Sequence, residues 1–286
     1  MDISRISSIT RPIDQDYPTN RAISIITLVL IFASAGFQVL SGIPTAQALM
    51  SGIRAGMSVF LAWALARELD PDNELSAFAA AFFAFAGLLY FPVQGLLASA
   101  FILLLIRILN RSTGLPAKNF DSLLILLLSS WLTLKENWIF GTTAAVAFCL
   151  DSRLSEPRKQ QLFYAGAAAL ISAFELLREL KTGTLRSGVS ENTLLQEHGL
   201  FLVILIPAVL FAAHILASRK IKSKGDRNGL PLDPRRVQAA QATALVAALA
   251  LAALEGWPGV ESLLPLWSAM TGIPLFAFLK LIRERI

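Results

Sequence analysis

Long apolar stretches separated by short polar ones make up most of the chain. About 20 consecutive apolar residues allow an α-helix to cross the roughly 30 Å of hydrocarbon in a bilayer. An open strand in lipid would leave backbone N–H and C=O groups without hydrogen-bond partners, so helix is the conformation expected here. The pattern predicts an all-α, polytopic transmembrane helix bundle of about ten spans. The spans lie near residues 22–41, 44–66, 75–91, 93–109, 120–134, 138–150, 161–179, 198–217, 236–255 and 260–280.

Two pairs of segments leave the number of full crossings open. The apolar run that begins at residue 75 is about 54 Å long as one helix, which is too long for a single span. We divide it at Pro92, because proline cannot continue a helix interior. The segments 120–134 and 138–150 are short for spans. The ranges 75–109 and 120–150 are therefore either two full spans each or re-entrant hairpins.

The basic residues predict the direction of each span. Of the 25 Lys and Arg residues, 20 fall on one side of the predicted spans and four on the other, while Arg54 lies inside a span. Basic residues accumulate on the cytoplasmic side. Both termini are therefore predicted to be cytoplasmic in a multi-pass protein of the cytoplasmic (inner) membrane. Residues 1–21 form a polar cytoplasmic segment and residues 22–286 a single transmembrane helical domain.

Composition excludes several classes of protein. Only 16% of the residues are charged and 55% are hydrophobic, whereas a soluble domain carries about 25% charged residues. The net charge is +5, and the basic residues lie beside apolar segments. This position favours membrane lipids over nucleic acid as partners. With one cysteine, two histidines and no nucleotide-binding motif, we predict no metal and no cofactor. Enzymatic activity is uncertain and disfavoured, and no protein partner is identified.

Charged and polar side chains inside the predicted spans are the first candidates for function. Arg54 lies near mid-span, where arginine costs about 2.5–3.5 kcal/mol on insertion scales. We expect it to pair with Glu175, in a polar patch with Gln38 and Gln47 that could bind a small solute. His214 could relay protons. The alternatives are an ion pair that only fixes helix packing and a hydrogen bond from the histidine to another helix.

Polar residues at the predicted cytoplasmic rim are the second candidates. Asp70 and Asp72 have a spacing that can hold Mg²⁺ bridged to a phosphate. Arg107 and Arg111, four residues apart, are predicted to share a helix face and grip a phosphate. Helix caps and turns are the alternative explanation. The rim candidates are Arg67, Glu68, Asp70, Asp72, Arg107 and Arg111.

The basic stretch 218–235 is the longest predicted cytoplasmic loop. It could lie against anionic lipid headgroups, at about 1 kcal/mol per basic residue. The favoured interpretation is a flexible linker that only fixes the topology.

Three functional hypotheses follow from these residues. Pro44 and Arg54 in the second span, together with the chain length and both ends inside, resemble the layout of the drug/metabolite transporter superfamily. The third and fourth spans depart from that family's pattern, so the resemblance implies no substrate. The first hypothesis is a permease-like protein that moves a small-molecule solute through a central polar cavity. The second is a membrane enzyme or lipid-handling protein acting on a phosphorylated or lipid headgroup substrate at the rim, and the third is a non-catalytic membrane assembly subunit.

Overall fold

The protein is all-helical, as predicted. A computed structural model describes residues 6–91, 96–183 and 194–284, and within the helix that begins at residue 194 it leaves the side chains of residues 194–201 and 203 undescribed. These parts of the chain contain no β-strand. Their helices are α1 (Pro18–Leu40), α2 (Thr45–Leu69), α3 (Ser76–Gly87), α4 (Leu96–Asn110), α5 (Asn119–Lys135), α6 (Ile139–Asp151), α7 (Gln161–Thr182), α8 (Leu194–Ala217), α9 (Pro234–Glu255), α10 (Trp257–Ser262) and α11 (Leu264–Arg283).

Four of these helices are long and apolar enough to cross a membrane: α1, α2, α9 and α11. The helices α3, α4 and α6 and residues 204–217 of α8 are apolar but shorter. Length and composition thus indicate a membrane protein. Each of the ten apolar segments marked in the sequence falls on a helix, the last of them on α10 and α11 together. That all ten are full spans stays a prediction.

The long apolar run that begins at residue 75 is interrupted, as its length requires. Helix α3 ends at Gly87 and a turn follows at residues 88–90, before α4 begins at Leu96. Pro92, at which we divide the run, lies outside the described residues.

The chain forms two compact units, each built from discontinuous segments. Unit 1 comprises residues 1–11 and 101–260, and unit 2 comprises residues 12–100 and 261–286. Of the three boundaries, one precedes α1, one falls within α4 and one within α10. A single transmembrane domain over residues 22–286 stays a prediction.

Unit 1 is organised around α5, α6 and α7, which pack on one another, while α9 packs on α6 and α8. Small residues allow this close approach. A β-carbon added to Gly141 of α6 would lie 2.7 Å from the Thr133 hydroxyl of α5 and 2.9 Å from the Ser172 β-carbon of α7. Phe101 of α4 packs edge-on against Phe140 of α6, with ring centroids 5.8 Å apart. Small and aromatic side chains therefore form contacts between these helices. Small residues are typical of helices that pack closely in a membrane.

Unit 2 consists of α1, α2, α3 and α11, with α2 in contact with each of the others. Gly52 and Gly56 of α2 form a G-x-x-x-G pattern that lies against α1. A β-carbon at Gly56 would lie 2.8 Å from the Thr27 carbonyl oxygen, and one at Gly52 would overlap the Ile31 carbonyl. Such small-residue pairs bring helix backbones together where no hydrophobic effect is available to do so.

Candidate functional site

A polar cap covers the end of unit 1 at which α4, α6 and α8 finish and α5, α7 and α9 begin. We define the polar cap as residues 6–11, 111–121, 151–161 and 218–236. It contains thirteen Lys and Arg residues and five Asp and Glu residues, a net formal charge of +8, although the whole chain carries only +5. The positive charge of the protein is therefore concentrated in this cap.

A buried ion cluster joins three helix ends in the polar cap. Asp151, at the end of α6, accepts hydrogen bonds through Oδ1 from Arg236 Nη1 at 2.7 Å and from Arg111 Nη2 at 3.0 Å. Arg236 Nη1 also donates to the Leu109 carbonyl oxygen at 3.0 Å. All three charged side chains are at most 6% exposed. One carboxylate thus fixes two arginines, because desolvated charges need paired and hydrogen-bonded partners.

Arg111 and Glu156 contact each other, and both have unusual backbone conformations. Both have left-handed conformations, with φ of +50° and +53°, which cost about 1–3 kcal/mol each in a residue with a β-carbon. Arg111 donates from Nη2 to the Glu156 carbonyl oxygen at 3.0 Å and from Nη1 to the Glu156 carboxylate at 3.3 Å. Strain of this kind is concentrated at functional sites, and here both strained residues line the same cleft.

Residues 6–11 are bonded to the rest of the polar cap through Asp121. Ser8 donates through its backbone N–H and its hydroxyl to Asp121 Oδ2, at 2.9 and 2.8 Å. The Lys118 backbone N–H donates to the same oxygen at 2.9 Å. Asp121 therefore stabilises the first turn of α5 and also holds residues 6–11 in place.

The basic loop 218–233 is ordered in the cap. The backbone N–H groups of Asp226 and Arg227 donate to the carbonyl oxygens of Ser112 and Thr113, at 3.2 and 3.0 Å. Asn228 donates to the Gly114 carbonyl oxygen at 2.7 Å, and Arg11 forms an ion pair with Asp226 at 2.6 Å. The interpretation of this loop as a flexible linker is wrong, because backbone and side-chain hydrogen bonds attach it to the loop after α4.

A cleft of about 370 Å³ opens in the polar cap. Three of its residues are basic, namely Arg111, Lys118 and Arg158, and Glu156 is acidic; Ser8, Leu115 and Pro116 complete its lining. The Arg158 guanidinium also donates to the Ala117 carbonyl oxygen, which holds the loop before α5. This arrangement of guanidinium and ammonium groups around a small cleft suits an anion such as phosphate.

Four of the predicted rim residues lie in unit 2, at the end of α2 and in the turn that follows it. Asp70 is buried and accepts from the Asn73 side chain at 3.0 Å, which closes the turn before α3. Arg67 forms an ion pair with Glu74 at 3.5 Å and lies over the Trp63 ring. The turn explanation offered for this stretch fits these contacts. Glu68 is buried and Asp72 exposed, so the aspartates of the D-x-D pattern differ in exposure.

The two predicted rim arginines of unit 1 do not share a helix face. Helix α4 ends at Asn110, so Arg111 lies beyond the helix and has a left-handed backbone. Arg107 is half-buried in the last turn of α4. Only Arg111 of this pair lines the cleft.

The intramembrane candidates have mixed surroundings. Arg54 is exposed and forms no hydrogen bond or ion pair with the described part of the chain. Glu175 is buried and pairs with Arg178 one turn further along α7, while its Oε2 has no hydrogen-bond partner in the described residues. Because Arg54 belongs to unit 2 and Glu175 to unit 1, their pairing stays a prediction.

The remaining pathway candidates are divided between the two units. Gln38 of α1 donates to the Ser51 hydroxyl of α2 at 2.8 Å, so it joins two helices of unit 2. Gln47 is exposed near the start of α2. His214, in unit 1, is half-buried and stacks on Phe211 with ring centroids 5.9 Å apart. Their part in a pathway stays a prediction.

Sequence reasoning overlooked Lys118, Glu156 and Arg158 as site residues. Lys118 and Arg158 are among the 20 basic residues that indicate the direction of the spans, and nothing in the spacing of the three residues brings them together. Within the described residues, no group of three or more His, Cys, Asp or Glu side chains could hold a metal ion.

The chain matches no known protein-family model, and no curated protein or solved structure is significantly similar to it.

Proposed function

We propose that this is a multi-pass inner-membrane protein whose polar cap lies on the cytoplasmic side and binds a phosphate-bearing anion there. The observation that carries the proposal is the cleft lined by Arg111, Lys118 and Arg158, within a cap of net charge +8. This is the rim hypothesis drawn from the sequence, with Arg111 kept and with Lys118 and Arg158 in place of the other candidates.

Two physical arguments support this ligand class. Guanidinium groups bind phosphate oxygens through charge-assisted hydrogen bonds, which are roughly twice as strong as neutral ones. Arg111 is also held in place by buried Asp151, so little side-chain freedom remains to be lost when the ligand binds. The cytoplasmic leaflet carries anionic lipids that attract such a basic surface. A phosphorylated lipid headgroup and a soluble phosphorylated metabolite share this chemistry.

The proposal is tested with neighbouring charge-neutralising variants of the full chain. Arg158→Gln removes a cation that lines the cleft, whereas Lys159→Gln removes the next one along the chain, which does not line it. We expect Arg158→Gln to weaken the binding of phosphatidic acid in lipid nanodiscs about tenfold, the value of one charge-assisted hydrogen bond. Lys159→Gln should change it less than twofold. Equal effects of the two variants, or no binding by the wild type, would refute a specific cleft.

The proposed orientation has its own test. Reporter cysteines replace Lys181, at the end of α7, and Lys220, after α8, in a Cys149→Ala background. Both positions are exposed. A membrane-impermeant thiol reagent added to intact cells should label only the first. Labelling of both or of the second alone would overturn the assignment of sides, and with it the cytoplasmic placement of the polar cap.

A permease-like protein is the second candidate, because Arg54 lies in the middle of a helix long enough to span a membrane. A charge at that depth requires water, a partner or a bound solute. The variant Arg54→Cys should react with a water-soluble thiol reagent if a polar cavity reaches it. Met50→Cys, one turn away on the same helix and also exposed, is the control. Equal protection of both cysteines would exclude a water-filled pathway and leave a membrane assembly subunit as the rival.

A further inference from the structure

We infer that the cleft selects a phosphate monoester dianion, and that the Glu156 carboxylate occupies the position of this ligand's phosphate until the ligand displaces it. The inference rests on the proposed function and names the ligand class and the residue that sets the selectivity. It depends on how unequally the two sides of the Arg111 guanidinium are held.

One side of Arg111 is fixed. Its Nε and Nη2 atoms donate to Asp151 Oδ1 at 3.3 and 3.0 Å, and Asp151 is fully buried. Nη2 donates in addition to the Glu156 carbonyl oxygen at 3.0 Å. These partners are a desolvated carboxylate and a backbone atom, so a ligand cannot easily replace them.

The other side of Arg111 is held weakly. Nη1 donates to the Glu156 carboxylate at 3.3 Å, and the Glu156 side chain is 80% exposed whereas the Arg111 side chain is 6% exposed. Pairs with one partner in solvent contribute about 0–1 kcal/mol. The carbonyl of Glu156 is bonded separately, so its side chain can rotate away without disturbing the loop. Nη1 is therefore the nitrogen that a ligand oxygen can take over.

The charge of the cleft matches a dianion. With Glu156 displaced, the lining keeps three cations. The buried Asp121 carboxylate, which accepts from the Ser8 hydroxyl and the Lys118 backbone N–H, lowers the formal total to +2, and Asp151 and Arg236 cancel each other. A phosphate monoester carries about −1.5 to −2 at neutral pH. A phosphate diester carries one negative charge. Its binding would therefore only replace the charge of the displaced Glu156 carboxylate and leave the cleft positive. The monoester is therefore the better complement.

Two sources could supply this group: a lipid with a terminal phosphate, or a soluble phosphorylated metabolite. The purified full chain is titrated with phosphatidic acid and with phosphatidylglycerol in otherwise neutral nanodiscs, and with glycerol 3-phosphate in solution. Tighter binding of phosphatidic acid than of glycerol 3-phosphate identifies the lipid as the source, and the reverse identifies the metabolite. In either case the wild type should prefer phosphatidic acid to phosphatidylglycerol about fivefold or more, which corresponds to roughly 1 kcal/mol.

The displacement is tested by Glu156→Gln, with Glu136→Gln as the matched control. Glu136 is exposed beyond the end of α5, outside the polar cap. Removal of the competing carboxylate should tighten the binding of the monoester about two- to fivefold, within the range expected for such a pair, and the control should not. Equal binding of monoester and diester by the wild type, or no gain in Glu156→Gln, would overturn the inference while leaving anion binding intact.

A second variant separates ligand selection from a structural role. Glu156→Gly also removes the carboxylate, and glycine adopts the left-handed backbone of this position without strain. Its affinity for the monoester should rise as in Glu156→Gln, with a melting temperature close to that of the wild type. Loss of folding in both variants would show that Glu156 serves the fold, and would overturn the inference. Absence of any phosphate binding by the wild type would instead refute the proposed function itself.

Discussion

The polar cap of unit 1 and the polar turn of unit 2, which we define as residues 67–74, contain the same kinds of side chain used in different ways. In the polar cap, buried Asp151 joins two arginines that come from separate helix ends. In the polar turn, Asp70 bonds to Asn73 three residues away. The cap has eight more cations than anions, whereas the turn has four acidic residues and one basic residue. Buried ion pairs in the cap hold cations around a cleft. The ion pair of the turn, between Arg67 and Glu74, is partly exposed, and Asn73 of the turn accepts a hydrogen bond from Lys280 of α11.

The largest effect that follows from this contrast is expected at Asp151. The change Asp151→Asn keeps the size of the side chain but leaves Arg111 and Arg236 buried without a carboxylate. Breaking a buried ion pair from one side costs about 3–5 kcal/mol. The free energy of unfolding should fall by that amount, and thermal denaturation of the detergent-purified protein measures it.

The control for this prediction is Asp226→Asn, in the same polar cap. Asp226 pairs with Arg11 and is 44% exposed, and such a pair contributes at most about 1 kcal/mol. If the two variants lost equal stability, burial of the cluster would not be the cause of its contribution to the free energy of unfolding.

The helices could be read from the sequence, and the partners of the charged residues could not. The apolar runs predict a helix for each segment, and each segment falls on a helix. This prediction is possible because the requirement to satisfy backbone hydrogen bonds in lipid acts locally. The contacts of Asp151 with Arg111 and Arg236 span 40 and 85 residues, and spacing along the chain contains no information about them. The sequence also does not indicate the left-handed backbones of Arg111 and Glu156, since neither residue type favours that conformation.

The attachment of loop 218–233 to the polar cap predicts a separate effect on stability. Gly114 has φ of +80°, and a β-carbon there would overlap the Asn228 side chain. We expect Gly114→Ala to cost about 2 kcal/mol through backbone strain and to expose the loop to limited proteolysis. Gly166→Ala, on α7 with open space around it, should be neutral or slightly stabilising. Unchanged proteolysis in Gly114→Ala would contradict the ordered loop.

Two arginines that differ in their pairing, one in each unit, allow a further test. Arg236→Leu removes one of the two cations that Asp151 binds and should destabilise unit 1 by about 3 kcal/mol or more. Arg54→Leu removes a side chain with no hydrogen bond or ion pair in the described part of the chain, so the melting temperature should stay within experimental error. A large loss of stability in Arg54→Leu would reveal a partner for this arginine, and Glu175 is then the first residue to test by double-mutant cycle.

The smallest effect is expected at Asp72, although its spacing to Asp70 made it a candidate for a magnesium-bridged phosphate. In the structure Asp72 is exposed in a turn where acidic side chains predominate, an environment that repels phosphate. Asp72→Asn should therefore leave both the affinity for phosphatidic acid and its dependence on Mg²⁺ unchanged, whereas Arg158→Gln weakens binding. If Asp72→Asn instead abolished a Mg²⁺-dependent part of the binding, the polar turn of unit 2 would have to be part of the ligand site, and the polar cap could not be the only place where the phosphate is recognised.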